Sequence, residues 1–215
     1  MNIMNYEEFG LGPNVVVLIH GWRRHAATWR RLAVALAARG YHCYAIDLPG
    51  SRGPRLSYSF TLDDYADSVE RFMLTHSIRE PVIIGHSFGG KVATMLAVRG
   101  SASKLVLIAT NLGLARSTPY QRMVRVFLTA GLDPVMRETF NKTHLTFSTT
   151  DLERITVPVA IIHGRFDPVV SYRQAVATHH ALPASSLYVC YPALHRPHVE
   201  HQAHVMRLLD QFIES

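Results

Sequence analysis

The sequence predicts an α/β fold in which a mostly parallel sheet is covered by helices on both faces. Two observations support this prediction. Short apolar runs rich in β-branched residues alternate with amphipathic stretches of helical length along most of the chain. The apolar runs show little polar alternation, which is typical of strands that are buried on both faces of a parallel sheet.

Each element follows from the spacing of its apolar residues and from the residues that begin or end it. Gly40 and Gly100 end two of the helices, and Thr61 begins another with a Thr-x-x-Asp cap. The expected strands cover residues 15–20, 41–47, 81–85, 104–109, 157–163 and 187–191. The expected helices cover residues 26–39, 62–76, 88–99, 120–130, 134–142, 172–181 and 197–213.

Length and composition indicate a single domain over residues 1–215. Segment 111–150 interrupts the alternation with helices, and we expect it to form a short lid over the carboxyl ends of the strands. No apolar stretch approaches the ~20 residues of a membrane span and no signal peptide is visible, so a cytoplasmic protein is expected. The net charge of +6 favours acidic partners, but no nucleic-acid-binding motif accompanies the scattered arginines.

The most informative motif is GHSFGG at residues 85–90, between an expected strand and an expected helix. This placement is typical of a nucleophile elbow, a sharp turn that holds a serine hydroxyl above the sheet. Gly85 and Gly89 are required because a Cβ at either position would collide with a neighbouring strand or helix. Ser87 is therefore the candidate nucleophile.

A serine hydroxyl needs a general base, and the base needs an orienting acid. Asp167 follows the strand at 157–163, and His195 lies between the last strand and the last helix, so both are expected at the same sheet edge as Ser87. The order Ser, Asp, His is that of nucleophile-elbow hydrolases. His198 is a rival base, although it should lie inside the last helix, and Asp47 is a rival acid on another strand.

Together these features resemble the α/β-hydrolase superfamily. The landmarks of the resemblance run in order through nearly the whole chain: His20-Gly21-Trp22, Asp47-Leu48-Pro49-Gly50, the elbow at 85–90, Gly164-x-x-Asp167 and His195-x-Pro197-x-x-Glu200. The resemblance implies a nucleophilic Ser87, with His195 as general base and acid and Asp167 orienting it. It also implies an oxyanion hole made by the backbone N–H groups of Phe88 and Trp22.

The predicted lid carries a net charge of +3 among apolar residues. Its charged residues are Arg116, Arg122, Arg125, Arg137 and Lys142, against Asp133 and Glu138. A lid packed on the sheet with solvated arginines is one interpretation; an apolar underside for an acyl chain with a basic exterior for an acidic carrier protein is the other. The basic lid and the His-Gly-Trp motif resemble the pimeloyl-acyl-carrier-protein methyl ester esterases of biotin synthesis. In that case Trp22 and Phe127 would contact the substrate.

The function predicted is therefore a cofactor-free serine hydrolase that cleaves carboxylic esters through an acyl-enzyme, with a pimeloyl-carrier methyl ester as the substrate that the resemblance implies. A thioesterase for acyl-CoA or acyl-carrier substrates and a lyase using the same triad are the alternatives. A non-catalytic ligand receptor on this fold is a minor one. No metal is expected, because the three-residue spacing of His198, His201 and His204 drifts around a helix and lacks further ligands.

Overall fold

The predicted alternation of strands and helices is present in a computed structural model that describes residues 4–52, 56–116, 118–144 and 146–214. Residues 1–3, 53–55 and 215 of the predicted domain, and positions 117 and 145 of the predicted lid, lie outside the described residues. The strands are β1 (Tyr6–Phe9), β2 (Asn14–Ile19), β3 (Tyr41–Ile46), β4 (Val82–His86), β5 (Lys104–Ile108), β6 (Val159–Gly164) and β7 (Ser185–Cys190).

Helices connect most of these strands. They are α1 (Arg30–Ala37), α2 (Leu62–Thr75), α3 (Phe88–Val98), α4 (Pro119–Thr129), α5 (Pro134–Lys142), α6 (Thr149–Glu153), α7 (Tyr172–Ala181), α8 (Pro197–Glu200) and α9 (Gln202–Glu214). A 3₁₀ turn at Ala26–Trp29 leads into α1. The predicted cap of α2 is present: the Asp64 N–H donates to Thr61 Oγ1 at 3.2 Å, and the Thr61 N–H donates to Asp64 Oδ2 at 2.7 Å.

Among the described residues the sheet has seven strands in the order β1-β3-β2-β4-β5-β6-β7. Only β1 is antiparallel to its neighbour, and the other pairs are parallel. Chain order reverses between β2 and β4, where Ile19 is paired with Gly85. In open parallel sheets such a reversal opens a crevice at the carboxyl ends of the strands, and ligands bind there. The topology therefore places the ends of β2 and β4 side by side at the expected site.

The core lies on both faces of this sheet. On one face Ile83 and Leu107 pack with residues of α2 and α3, and on the other Ile84 and Ile108 pack with residues of α1 and α9. Successive residues of the central strands are therefore both buried, which explains the missing polar alternation in the sequence. None of the described helices is both long and apolar enough to cross a membrane.

Three elements differ from the sequence-based expectation. The edge strand β1 and the five-residue helix α6 were not predicted. The last helix was predicted as one element, but it is interrupted at His201, whose φ of −132° and ψ of 48° are not helical. This interruption separates α8 from α9 and turns Glu200 and His201 toward the loop before α8.

Candidate active site

Ser87 lies at the sharp turn between β4 and α3, with φ 52° and ψ −112°. A positive φ is strained for a residue with a Cβ, and such strain is typical of a nucleophile elbow. The turn is possible because the glycines around it let the backbones approach closely. A Cβ on Gly85 would lie 2.4 Å from the Gly89 carbonyl oxygen, and a Cβ on Gly89 would lie 2.2 Å from that of Ile19.

The structure brings Ser87, His195 and Asp167 together at the carboxyl edge of the sheet. His195 Nε2 lies 3.1 Å from Ser87 Oγ, and His195 Nδ1 lies 2.7 Å from Asp167 Oδ2. The Nδ1–H donates to the carboxylate, so Nε2 is left as an acceptor for the serine hydroxyl. This is the hydrogen-bonded order of nucleophile, base and orienting acid that activates a serine.

The two oxygens of the Asp167 carboxylate have different partners. Its side chain is fully buried, and Oδ1 accepts the N–H groups of Val169 at 2.7 Å and Val170 at 2.9 Å. His163 Nε2 lies 3.5 Å from Oδ2, but that nitrogen donates to the Val170 carbonyl at 3.0 Å. Burial lowers the pKa of His163, which keeps its ring neutral. Asp167 therefore has its second oxygen available for His195.

The two rival residues have other partners. Asp47 Oδ1 accepts the Ala26 N–H at 2.5 Å and caps the turn before α1. His198 is buried against Trp29, with ring centroids 4.6 Å apart, and burial lowers its pKa to about 3. Within the described part of the chain, the side-chain hydrogen bond of Ser87 is to His195 and to neither of these rivals.

Trp22 and Phe88, the two predicted oxyanion-hole residues, lie beside Ser87, and their rings meet edge to face at 5.2 Å. Phe88 is the first residue of α3, so its N–H has no partner inside the helix. Among the described residues, neither the Phe88 N–H nor the Trp22 N–H has a hydrogen-bond acceptor. Both groups are thus available to a ligand at this position.

A cavity of about 100 Å³ opens beside Ser87. Trp22, Phe88 and Phe140 form its apolar wall, and Lys91 brings a buried ammonium that donates to the Thr143 carbonyl at 3.3 Å. The remaining described lining residues are Asn111, Gln121, Val124, Thr143, His144, Val169 and Val170. Lys91 was not predicted from the sequence, although its position one helical turn after Ser87 could have indicated it.

Phe127 is not among the described residues that line this cavity. It is on α4 but is 69 % exposed, and the residues of α4 that line the cavity are Gln121 and Val124. The side chains of Arg125 and Leu128 lie outside the described part of the structure. Trp22, by contrast, lines both this cavity and a second one, which Arg23 and Met136 also line.

The three histidines at three-residue spacing do not converge. His198 is buried in the core, His201 Nε2 donates to the Pro192 carbonyl at 2.7 Å, and His204 lies 3.4 Å from an Arg207 nitrogen. Within the described ranges no three His, Cys, Asp or Glu side chains are grouped as metal ligands.

Comparison with known proteins identifies the family. The family model described as alpha/beta hydrolase fold matches residues 14–150. The chain belongs to this family. It is 25% identical over 244 residues to the pimeloyl-[acyl-carrier protein] methyl ester esterase of Vibrio cholerae, an alignment that covers 91% of this chain and 92% of the relative. The predicted resemblance is thereby confirmed.

Solved structures agree with the fold. A meta-cleavage product hydrolase from Pseudomonas fluorescens IP01 superposes with a TM-score of 0.80 at 21% identity, covering 98% of this chain and 94% of that one. An esterase from Exiguobacterium antarcticum gives a TM-score of 0.83 at 17% identity, covering 99% and 96%. At these identities the likeness concerns the alpha/beta hydrolase fold alone, and it confirms the predicted fold class.

Proposed function

We propose that this chain is a serine hydrolase that cleaves carboxylic esters with Ser87, His195 and Asp167 as its catalytic triad. The observation that carries the proposal is the continuous hydrogen-bonded order from Ser87 Oγ through both ring nitrogens of His195 to a buried carboxylate. The family and the relatives named as esterases confirm the predicted class, an ester-hydrolysing enzyme. The roles of the three residues follow from their chemistry.

In the first half of the reaction Ser87 Oγ attacks the ester carbonyl carbon while its proton passes to His195 Nε2. The resulting imidazolium is stabilised by Asp167 Oδ2. Negative charge on the carbonyl oxygen is stabilised by the N–H groups of Phe88 and Trp22, and losing one such donor costs ~3 kcal/mol of transition-state stabilisation. The tetrahedral intermediate then collapses, the bond to the alcohol breaks, and His195 gives its proton to the leaving alkoxide.

In the second half, water attacks the acyl-enzyme. His195 Nε2 takes a proton from the water, the same two N–H groups stabilise the second tetrahedral intermediate, and the bond from Ser87 Oγ to the acyl carbon breaks as the proton returns to the serine. The products are a carboxylic acid and an alcohol. No redox step or external group is required, so the reaction balances with ester and water alone.

The substrate we favour is an ester of an acyl chain attached to an acyl-carrier protein, with the pimeloyl methyl ester as the specific case. The relatives' names support this choice. The surface of α4 agrees with it: Met123, Val126 and Phe127 are exposed, and Arg122 is exposed beside them. Helix α4 also contributes Gln121 and Val124 to the cavity at Ser87, so a carrier bound there would sit next to the entrance.

The test uses pimeloyl-acyl-carrier protein methyl ester with the native chain and with Ser87→Ala. Methanol release with the thioester intact is the expected result, and it should be lost in Ser87→Ala. Release of the free carrier thiol instead would identify a thioesterase. If the native chain hydrolysed p-nitrophenyl esters but not the carrier substrate, the proposed esterase activity would stand and the proposed substrate would be wrong. Equal rates for both proteins would overturn the triad.

A further inference from the structure

The loop that carries His195 has few side chains in the core. Tyr191 is 73 % exposed and Leu194 is 51 % exposed, and among these loop residues Ala193 is fully buried. The catalytic geometry of His195 nevertheless depends on distances of 2.7 Å and 3.1 Å to its two partners. A loop with so little apolar anchoring needs another source of rigidity, and backbone hydrogen bonds supply it.

Glu200 binds the backbone on both sides of His195. Its Oε2 accepts the Leu194 N–H at 2.7 Å and its Oε1 accepts the Arg196 N–H at 3.1 Å. One carboxylate thus spans the residue before and the residue after the histidine. Hydrogen bonds from backbone N–H groups to a carboxylate are charge-assisted and about twice as strong as neutral ones.

His86 binds a third backbone group of this loop from inside the core. Its Nε2 lies 2.9 Å from the His195 carbonyl oxygen. Since a carbonyl can only accept, the proton must be on Nε2. Complete burial lowers the pKa of His86 well below its usual range, so the ring is neutral and carries this one proton. The backbone of residues 194–196 is therefore held at consecutive positions from two directions.

The last helix is interrupted directly after Glu200. Helix α8 ends at Glu200, and the non-helical His201 turns the chain before α9 begins at Gln202. His201 uses its own ring to bond the Pro192 carbonyl at 2.7 Å. Gly164 completes the arrangement, because a Cβ there would lie 1.9 Å from the Leu194 carbonyl oxygen.

We propose that Glu200 is a positioning residue that, together with His86, fixes the backbone of His195 so that its ring reaches both Ser87 and Asp167. This inference rests on the proposed function. Glu200 is not among the described residues that line the cavity at Ser87, and its effect passes through the loop. Displacement of a catalytic group by 1 Å can cost about 100-fold in rate. A loosened loop should therefore lower kcat, while the cavity at Ser87 and hence KM are unaffected.

The experiment compares native protein, Glu200→Ala, Glu200→Gln and the control Glu153→Ala, an exposed acid at the end of α6. Each is assayed for kcat and KM on a p-nitrophenyl ester, for the rate of Ser87 labelling by a fluorophosphonate, and for thermal stability. We expect Glu200→Ala to lower kcat by about 10- to 100-fold and to slow labelling in proportion, with KM within about twofold. Glu200→Gln keeps one acceptor oxygen and should recover part of the loss, and Glu153→Ala should match the native protein.

If the native protein is active, two outcomes would overturn the positioning role alone. One is a Glu200→Ala enzyme whose kcat stays within about threefold of native. The other is a lower kcat explained entirely by a smaller folded fraction, which would make Glu200 a purely structural cap of α8. If the native protein shows no hydrolysis that depends on Ser87, the proposed function fails and the positioning role fails with it. Intact native activity beside an unaffected Glu200→Ala overturns the positioning role alone.

Discussion

His195 Nδ1 donates to Asp167 Oδ2 across 2.7 Å, while the other oxygen of that carboxylate is held by the Val169 and Val170 N–H groups. The carboxylate therefore has one oxygen for its own loop and one for the histidine. This division fixes which ring nitrogen carries the proton, and Nε2 faces Ser87 Oγ as a consequence.

Asp167→Asn should disrupt this proton placement with little change in shape. The amide can present its N–H₂ group to His195, which favours the tautomer with the proton on Nε2 and removes the base. By analogy with serine proteases we expect kcat to fall by about 10⁴-fold. The control is Asp47→Asn, which alters an acid bound to the Ala26 N–H instead of to a histidine. Similar losses of kcat in the two folded variants would contradict the assignment of Asp167.

Gly89→Ala should destabilise the whole domain. The new Cβ would lie 2.2 Å from the Ile19 carbonyl oxygen and 2.5 Å from that of His20, both backbone atoms at the end of β2. Because neither can move without shifting the strand, we expect a loss of about 3 kcal/mol or more in the free energy of unfolding. Urea unfolding of the native protein and the variant measures this loss. Gly100→Ala is the control: its φ is +77° but its surroundings are open, so strain alone should cost roughly 1–2 kcal/mol.

The central fold could be predicted because its signal is local. Strands β2 to β6 are apolar runs. Ser87 follows β4 and Asp167 follows β6, while His195 follows β7, so all three were expected at the same edge of the sheet. Strand β1 could not be found this way. Its sequence Tyr-Glu-Glu-Phe is half-exposed, and its antiparallel pairing with β3 is a tertiary contact.

The contacts of the His195 loop and the orientation of the helix faces could not be predicted from the sequence, for a different reason. The periodicity of residues 197–213 continues across His201, but the bonds of Glu200 and His201 to the preceding loop compete with a continuous helix. Helix α4 was expected, but the sequence could not fix which of its apolar residues face the cavity. Val124 lines it and Phe127 is exposed, since the packing of the segment decides the rotation.

Arg122→Glu should separate carrier-linked from small substrates. Arg122 is exposed on α4, and two other residues of this helix, Gln121 and Val124, line the cavity at Ser87. If an acidic carrier docks there, reversing this charge should lower kcat/KM for the carrier-linked ester by about tenfold and weaken its dependence on salt. Kinetics on a p-nitrophenyl ester should not change. The control is Arg31→Glu on α1, and equal effects of the two variants on the carrier substrate would contradict docking at α4.

Stability should fall as pH decreases from 7 to 5, because several histidines are buried in the neutral state. Burial lowers the pKa of His198 to about 3 and that of His20 to about 4, from 6.5 when unfolded. Between the folded-state pKa and the unfolded pKa of 6.5, the unfolded chain binds more protons than the native one. The free energy of unfolding therefore rises with pH in this range, and the contribution of these histidines is fully present above about pH 6.5. One such histidine lowers the free energy of unfolding by about 2 kcal/mol as the pH decreases from 7 to 5.

His198→Phe tests this directly. The ring packs between Trp29 and His86 with centroids 4.6 Å from each, and neither of its nitrogens has a hydrogen-bond partner among the described residues, so phenylalanine should fit. Urea unfolding at pH 5 and pH 7 should show the pH-dependent loss reduced by about 2 kcal/mol relative to the native protein. His180→Phe, at an exposed position on α7, is the matched control and should keep the native dependence. An unchanged dependence in His198→Phe would mean that His198 is already protonated in the folded protein at pH 5.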